Sequence, residues 1–254
     1  MCLIVIGWRA RADLPLVIAA NRDEWRDRPA QAAHWWEDHP QILAGRDLQA
    51  GGTWMGVTRS GRFAAVTNFR DPSDRRTTAR SRGELVTDYL RSGERPIDFI
   101  ARIEARAADY NGFNLLLADG GSLWYFGSRE GLAREVAPGV HALSNHLLDE
   151  PWPKVVRARE AMEAALGDAD PCPRLEAFLG DATHAPDEAL PATGVSLEWE
   201  RRLSPPLIVG DDYGTRSSTT VLLDDRGGVR VRELTRDGAG RVTATATQDE
   251  RNAA

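Results

Sequence analysis

The N-terminal stretch CLIVIGWRARADLPLVIAANRDE, residues 2–24, sets what kind of architecture to expect of the whole chain. Its apolar runs Cys2–Trp8 and Leu16–Ala20 are too short for helices and rich in Leu, Ile and Val, so they predict two buried strands. Arg9, Arg11 and Asp13 separate the runs, and neither approaches the apolar length that a bilayer span needs. The second run ends in Asn21-Arg22-Asp23-Glu24, a cluster of polar and charged groups at a strand end, where functional side chains concentrate.

Beyond a polar stretch carrying Trp25, Trp35 and Trp36, Thr53–Thr58 and Arg62–Asn68 flank Arg59-Ser60-Gly61 and predict a hairpin. Phe69–Arg82 holds Arg70, Arg75, Arg76, Arg80 and Arg82 without apolar period, and reads as a solvated loop. Apolar residues then return every three or four positions, predicting helices over Glu84–Arg91 and Ile97–Tyr110. Strands follow at Phe113–Ala118, Leu123–Phe126, Leu132–Val136 and Val140–Ser144, then helices at Lys154–Leu166 and Arg174–Leu179. Asp181–Arg202, rich in Ala, Pro and acidic residues, reads as an irregular excursion. Strands at Thr219–Leu223, Val229–Leu234 and Val242–Thr247 close the chain, with residues 251–254 as a frayed tail. Strands and helices come in blocks and do not alternate, which predicts an antiparallel, layered α+β domain. Two sheets face to face with a helix pair outside each, in one domain over residues 1–250, fit this order.

The 254 residues are 42% hydrophobic and 28% charged, the composition of an ordinary globule, which excludes a disordered chain. A net charge of −6 lacks the basic footprint that nucleic-acid binding requires. Lys154 is the only lysine among the 32 basic residues, a skew that fits a GC-rich genome. Cys2 and Cys172 stand alone, so no disulfide framework, zinc cluster or other metal site is expected, and a reducing cytoplasm fits. No basic segment precedes an apolar stretch as in a secretory signal, so the mature chain is expected to begin at residue 1 or 2.

Chemistry can begin at residue 2. Removal of Met1 would give Cys2 both a thiol and a free α-amine, whose pKa of about 7.7–8.0 suits it to take the thiol proton. The plainer alternative is a small apolar residue opening a buried strand. Asn21 and Asp23 share a face of an extended chain, from which Asp23 can hold the Cys2 α-ammonium; a simple strand-to-loop transition is the alternative. Asn68, at the end of its strand, is a candidate oxyanion donor, Asn145 follows Val140–Ser144, and Arg216 precedes the strand at Thr219. Each of these also suits a cap or a turn.

Met1-Cys2, Asn21-Arg22-Asp23-Glu24, Gly51-Gly52-Thr53-Trp54, Thr67-Asn68, Arg82-Gly83-Glu84, Tyr110-Asn111-Gly112-Phe113-Asn114, Ser144-Asn145, Pro151-Trp152 and Tyr213-Gly214-Thr215-Arg216 together resemble the NRDE family. Its eukaryotic members are the transport and Golgi organisation protein 2 homologues. The resemblance runs from residue 1 to about residue 223 and implies a four-layer αββα sandwich with antiparallel sheets, of the N-terminal nucleophile (Ntn) hydrolase type. More distantly, the chain looks like the penicillin V acylase and bile salt hydrolase group. By that likeness Cys2 is the nucleophile, Asp23 the carboxylate beside it, Asn68 the oxyanion donor, Asn145 the second Asn and Arg216 the distal Arg. Asn21, Arg22 and Trp54 are then the residues expected to bind substrate. The sequence departs from those hydrolases at Ala20, where they carry Arg; Arg22 shares Ala20's face and is the candidate replacement.

Two functions follow as expectations. The first is a cofactor-free hydrolase of amide or thioester bonds in a small acyl substrate. The family's association with haem trafficking, acyl-CoA and lipid homeostasis implies the second, a non-enzymatic carrier. Haem would then be a non-covalent, exchangeable ligand with Cys2, His34, His39, His141 and His146 as candidate ligands. The aromatic residues Trp54 and Trp152 serve equally as packing.

Overall fold

Each half of the N-terminal stretch forms a strand buried on both faces, which explains its unbroken apolar runs. In the computed structural model, which describes residues 2–74 and 76–250, β1 (Cys2–Trp8) pairs antiparallel with β2 (Leu16–Trp25). Met1, Arg75 and the tail expected at 251–254 lie outside the described residues. Strands β3 (Ala30–Trp35), β4 (Ile42–Asp47), β5 (Met55–Thr58) and β6 (Phe63–Asn68) follow, then helices α1 (Gly83–Arg91) and α2 (Pro96–Glu104). Next come β7 (Phe113–Ala118), β8 (Leu123–Gly127), β9 (Leu132–Glu135) and β10 (Gly139–Leu143). Helices α3 (Pro153–Ala165), α4 (Cys172–Leu179) and α5 (Leu197–Arg202) precede β11 (Tyr213–Leu223), β12 (Val229–Arg236) and β13 (Val242–Glu250).

These strands make two antiparallel sheets, a six-stranded one in the order β10-β1-β2-β11-β12-β13 and a seven-stranded one in the order β3-β4-β5-β6-β7-β8-β9. Side-chain alternation assigns the layers. Ile4, Ile6, Leu16 and Ile18 pack between the sheets against Leu43, Val57, Phe63 and Leu116. Leu3, Val5, Val17 and Ala19 face the other way, onto Val155, Met162, Leu175 and Leu179 of α3 and α4. On the far side, Leu85, Tyr89, Phe99 and Ile103 of α1 and α2 cover Ile42, Ala64, Leu115 and Leu117. The order is helices, sheet, sheet, helices, the expected four-layer αββα sandwich.

Four expectations need correction. Strands β3 and β4 stand in the stretch expected to be polar: β3 is mostly exposed or half-buried, and β4 offers only the four buried residues Ile42, Leu43, Ala44 and Gly45 before Arg46 and Asp47. The helix expected to reach Tyr110 ends at Glu104; a 3₁₀ turn over Ala107–Asp109 follows, and Tyr110 bridges to Arg80. The stretch Asp181–Arg202 contains α5, capped by Ser196, whose side chain accepts from the Trp199 N–H. Phe69–Arg82 is not uniformly solvated, since Arg70 is buried.

Edge strand β10 carries a clamp. Its His141 Nδ1 lies 2.7 Å from the Asp149 carboxylate, whose other oxygen accepts from the Ala142 N–H at 2.9 Å. The Asp149 hydrogen bond raises the His141 pKa above 6.5, and Asp149 is itself held below the usual carboxylate value, its burial outweighed by the hydrogen bonds from His141 and Ala142. A raised histidine stabilises fully below its unfolded pKa and loses that contribution as pH rises through the folded value; the lowered aspartate contributes above its unfolded pKa. The pair therefore stabilises most between about pH 4 and 6.5. His141→Gln is expected to cost on the order of 1 kcal/mol at pH 5.5 and less at pH 8, measured by urea unfolding at both. An equal cost at the two pH values would refute the clamp.

Candidate functional site

Cys2 opens β1 directly opposite Arg22 of β2, at the end of the two sheets. Alternation places Arg22 on the inter-sheet side with Ala20, and Asn21 and Asp23 on the side facing α3 and α4. Cys2 lines a cleft of about 460 Å³ together with Arg22, Asp23, Trp54, Asn68 and Arg82. Arg22 is held over the Trp54 ring at 4.2 Å and lies 3.7 Å from the Asp47 carboxylate. Its guanidinium thus stands on the face that Ala20 leaves empty, across the ladder from Cys2.

A β-bulge makes the Asp23 environment. Thr215 of β11 pairs with Asp23 and Ser217 with Arg22, so Arg216 is the inserted residue. The insertion turns Thr215 onto Asp23's side of the sheet, where its hydroxyl donates to the carboxylate at 2.7 Å. The Tyr213 hydroxyl donates to the Asp23 carbonyl at 3.2 Å. Burial pushes the Asp23 carboxyl above the usual carboxylate value, while the Lys154 ammonium, the Thr215 hydrogen bond and Arg70 pull it down. Burial likewise pushes the Cys2 thiol up, Asp23 adds to that, and Arg22 opposes it.

Asn68 ends β6 at the cleft lining, and its carbonyl accepts from Asn145 Nδ2 at 3.0 Å. Asn145 is fully buried and its carbonyl accepts from the Arg70 N–H at 2.7 Å, so it braces the strand end that carries Asn68 and does not line the cleft. Ser144 ties the same segment to β1, donating to the Cys2 carbonyl at 3.3 Å. Arg216 is also outside the cleft lining: its guanidinium donates to the Trp25 and Arg28 carbonyls at 2.8 and 2.9 Å, fixing the turn that brings Glu24 and Arg28 to the cleft. Asn21, expected to bind substrate, is not among the residues lining the cleft. It is buried, donates to the Leu179 and Pro206 carbonyls at 2.9 and 2.8 Å, and accepts from Ser218 at 2.6 Å.

The motifs around Gly52 and Gly83 meet at the cleft wall. A Cβ on Gly52 would fall 2.7 Å from the Gly83 carbonyl carbon, so only glycine lets the two backbones touch. Trp54 beside them serves both lining and packing, since its ring fills the space that a Cβ on Gly45 would take.

Four groups went unrecognised in the sequence. Arg70 is buried against Glu200 at 2.7 Å and lies over the Trp152 ring at 4.7 Å. Lys154, in the first turn of α3, is buried with its Nζ donating to the Leu203 carbonyl at 2.8 Å. Thr215 holds Asp23. Of these, only Lys154 carried a signal, as the sole lysine of the chain. A second cleft of about 480 Å³ adjoins the first, sharing Glu24, Arg28, Asn68 and Arg82, with aromatic walls from Trp25, Phe69, Trp199 and Tyr213. Among the described residues, no histidine lines either cleft and no helix is long and apolar enough to cross a membrane.

Comparison with known proteins adds the following. The family model described as Transport and Golgi organisation 2 matches residues 1–238. The Transport and Golgi organization protein 2 homolog of Bos taurus is 36% identical over 238 residues, covering 86% of this chain and 85% of that protein. The Homo sapiens homolog is 33% identical over 236 residues, with the same coverage. Among solved structures, the mutant C2A conjugated bile acid hydrolase from Clostridium perfringens superposes with a TM-score of 0.48 at 8% identity, over 98% of this chain and 92% of that one. The Caenorhabditis elegans N-acylethanolamine-hydrolyzing acid amidase ortholog gives 0.40 at 11% identity, over 87% and 92%.

Proposed function

The chain belongs to the Transport and Golgi organisation 2 family, and from that premise we propose that it is an acyl hydrolase whose nucleophile is Cys2, cleaving an amide or thioester bond. The observation that carries this reading is the placement of Cys2 at the end of β1 in a cleft that Asn68 also lines, with Arg22 opposite and Asp23 on the neighbouring strand. Once Met1 is removed, the Cys2 α-amine takes the thiol proton and the sulfur attacks the substrate carbonyl carbon. The carbonyl electrons move to oxygen, where the Asn68 amide donates. Collapse expels the amine or thiol, which leaves with the proton from the α-ammonium. Water then attacks the thioester, giving one proton to the α-amine; the acid departs and Cys2 regains its thiol.

A second reading, a carrier of an anionic acyl-CoA-like ligand, is favoured by the arginines Arg22, Arg28, Arg76, Arg80 and Arg82 that line the same cleft. Haem fits less well. Both His141 ring nitrogens are engaged, by Asp149 and the Ala137 carbonyl, and His34 Nδ1 lies 2.8 Å from the Ala32 carbonyl. Of the residues offered as iron ligands, Cys2 alone lines the cleft.

Intact mass before and after a thiol-reactive acyl probe separates the hydrolase from the carrier, with Cys2→Ala as control and Cys172 as internal comparison. Loss of Met1 and fast labelling confined to Cys2 are expected. Retained Met1, or a Cys2 that labels no faster than buried Cys172, overturns the hydrolase reading.

A further inference from the structure

Behind Cys2 the structure buries four formal charges contributed by four different segments. Asp23 comes from β2, Lys154 from the first turn of α3, Arg70 from the segment after β6 and Glu200 from α5, and all four are nearly inaccessible. Glu200 binds Arg70 through one carboxylate oxygen at 2.7 Å and accepts from the Thr193 N–H through the other at 2.9 Å. Lys154 Nζ is oriented by the Leu203 carbonyl at 2.8 Å. Val155, next to it, packs with Leu3 and Val5 on the outer face of β1, which keeps this turn of α3 against the strand that begins at Cys2.

We propose that Lys154 is a positioning residue for the Cys2 nucleophile: with Arg70 it sets two buried cations against Asp23 and Glu200, so that the charge at the base of the site is balanced and loss of the Cys2 thiol proton is eased. The inference rests on the reading of Cys2 as nucleophile and deepens it by naming what supports that group from below.

Asp23 alone would oppose a thiolate at Cys2 and hold an α-ammonium too firmly for the amine to act as a base. Lys154 and Asp23 are both buried, so a cation there offsets much of that field and solvent screens the pair little. The charged groups that act on Lys154 are Cys2 from β1, Asp23 from β2, Arg70 from the segment after β6 and Glu200 from α5. Asp23 in turn faces Thr215 and Tyr213 of β11. Consistent with this crowding, burial and the Arg70 charge bring the Lys154 ammonium down to about 8, while Asp23, Cys2 and Glu200 hold it up. Arginine would stay charged in the same place; a neutral side chain would remove the largest of the positive charges that counter Asp23.

The test is the pH dependence of Cys2 alkylation by iodoacetamide in the full chain, followed by intact mass and read without any substrate. Lys154→Met is expected to move the midpoint up by about one pH unit or more, and Lys154→Arg to keep it close to the native value. A purely structural role for Lys154 would alter melting but not the midpoint. A folded Lys154→Met protein with the native midpoint overturns the proposal. Should Lys154→Met fail to fold, Asp23→Asn combined with Lys154→Met decides. Recovery of folding supports the charge pairing, and no recovery overturns it. Alkylation with the expected shift but no hydrolysis of any acyl substrate would refute the hydrolase reading while leaving this one standing.

Discussion

Cys2→Ala is expected to fold as the native chain does and to lose at least about 10³-fold in kcat/KM on an acyl thioester or amide that the native protein turns over. Folding is spared because Cys2 sits at the open end of β1, only partly buried, while the hydrophobic grip of the strand comes from Leu3, Ile4, Val5 and Ile6. Turnover is not spared, because no other side chain in the cleft combines a soft nucleophile with the ability to form a covalent acyl intermediate. Cys172 does not substitute, being buried at the start of α4 among Leu175, Leu179 and Leu222, with burial raising its thiol pKa. Residual activity in Cys2→Ala would reflect binding and the Asn68 dipole alone. A melting temperature within a few degrees of native with full loss of turnover supports the assignment. Equal turnover by the two proteins would remove Cys2 from the chemistry and leave the carrier reading. The pH profile adds a sign: activity should fall below the α-amine pKa as the base is protonated.

What the sequence reveals of this fold depends on how deeply each element is buried. Strands β1 and β7, covered on both faces, announce themselves as apolar runs, and their bounds match the reading residue for residue. Strands β3 and β4 lie at one end of the seven-stranded sheet, and exposed Gln31 and half-buried His34 and Arg46 break their pattern. Among candidate site residues, Cys2, Asp23 and Asn68 reach the cleft because strand ends converge there. Asn21 shares Asp23's face, but two residues along the strand that face is already covered by α4, where its amide donates to the Leu179 and Pro206 carbonyls. Arg70 and Glu200 were invisible for a different reason. Each looks like a solvated charge in its own neighbourhood, one in an arginine-rich loop and one in an acidic excursion, and only the tertiary fold brings together two residues 130 positions apart. Arg22 shows the reverse case: its alternation with Ala20 is readable from strand period alone, and the structure puts it across from Cys2.

Arg70→Met is expected to destabilise the protein by about 3–5 kcal/mol, a large share of the stability of a typical domain. The Arg70 and Glu200 side chains are each only 4% exposed. Methionine fills the Arg70 stem over Trp152, so little apolar packing is lost, yet the buried Glu200 carboxylate loses its ion-pair partner and, among the described residues, is left with the Thr193 hydrogen bonds and the more distant Lys154. The penalty is thus mostly that of an uncompensated buried ion. Replacing both partners should be far milder than replacing one: Arg70→Met with Glu200→Leu is expected to recover more than half of the loss, a coupling of about 2–3 kcal/mol in a double-mutant cycle. Urea unfolding of the four proteins measures this. A single-variant cost below about 1 kcal/mol, or additive effects, would mean that water reaches the pair and that it is not a buried bridge. The consequence extends to the site. The Arg70 N–H holds the Asn145 carbonyl, and Asn145 holds Asn68, so whatever loosens the segment around Arg70 also frees Asn68, the proposed oxyanion donor. The folded fraction of Arg70→Met should therefore show a lower kcat with KM little changed, because the donor's position matters most when charge develops on the carbonyl oxygen.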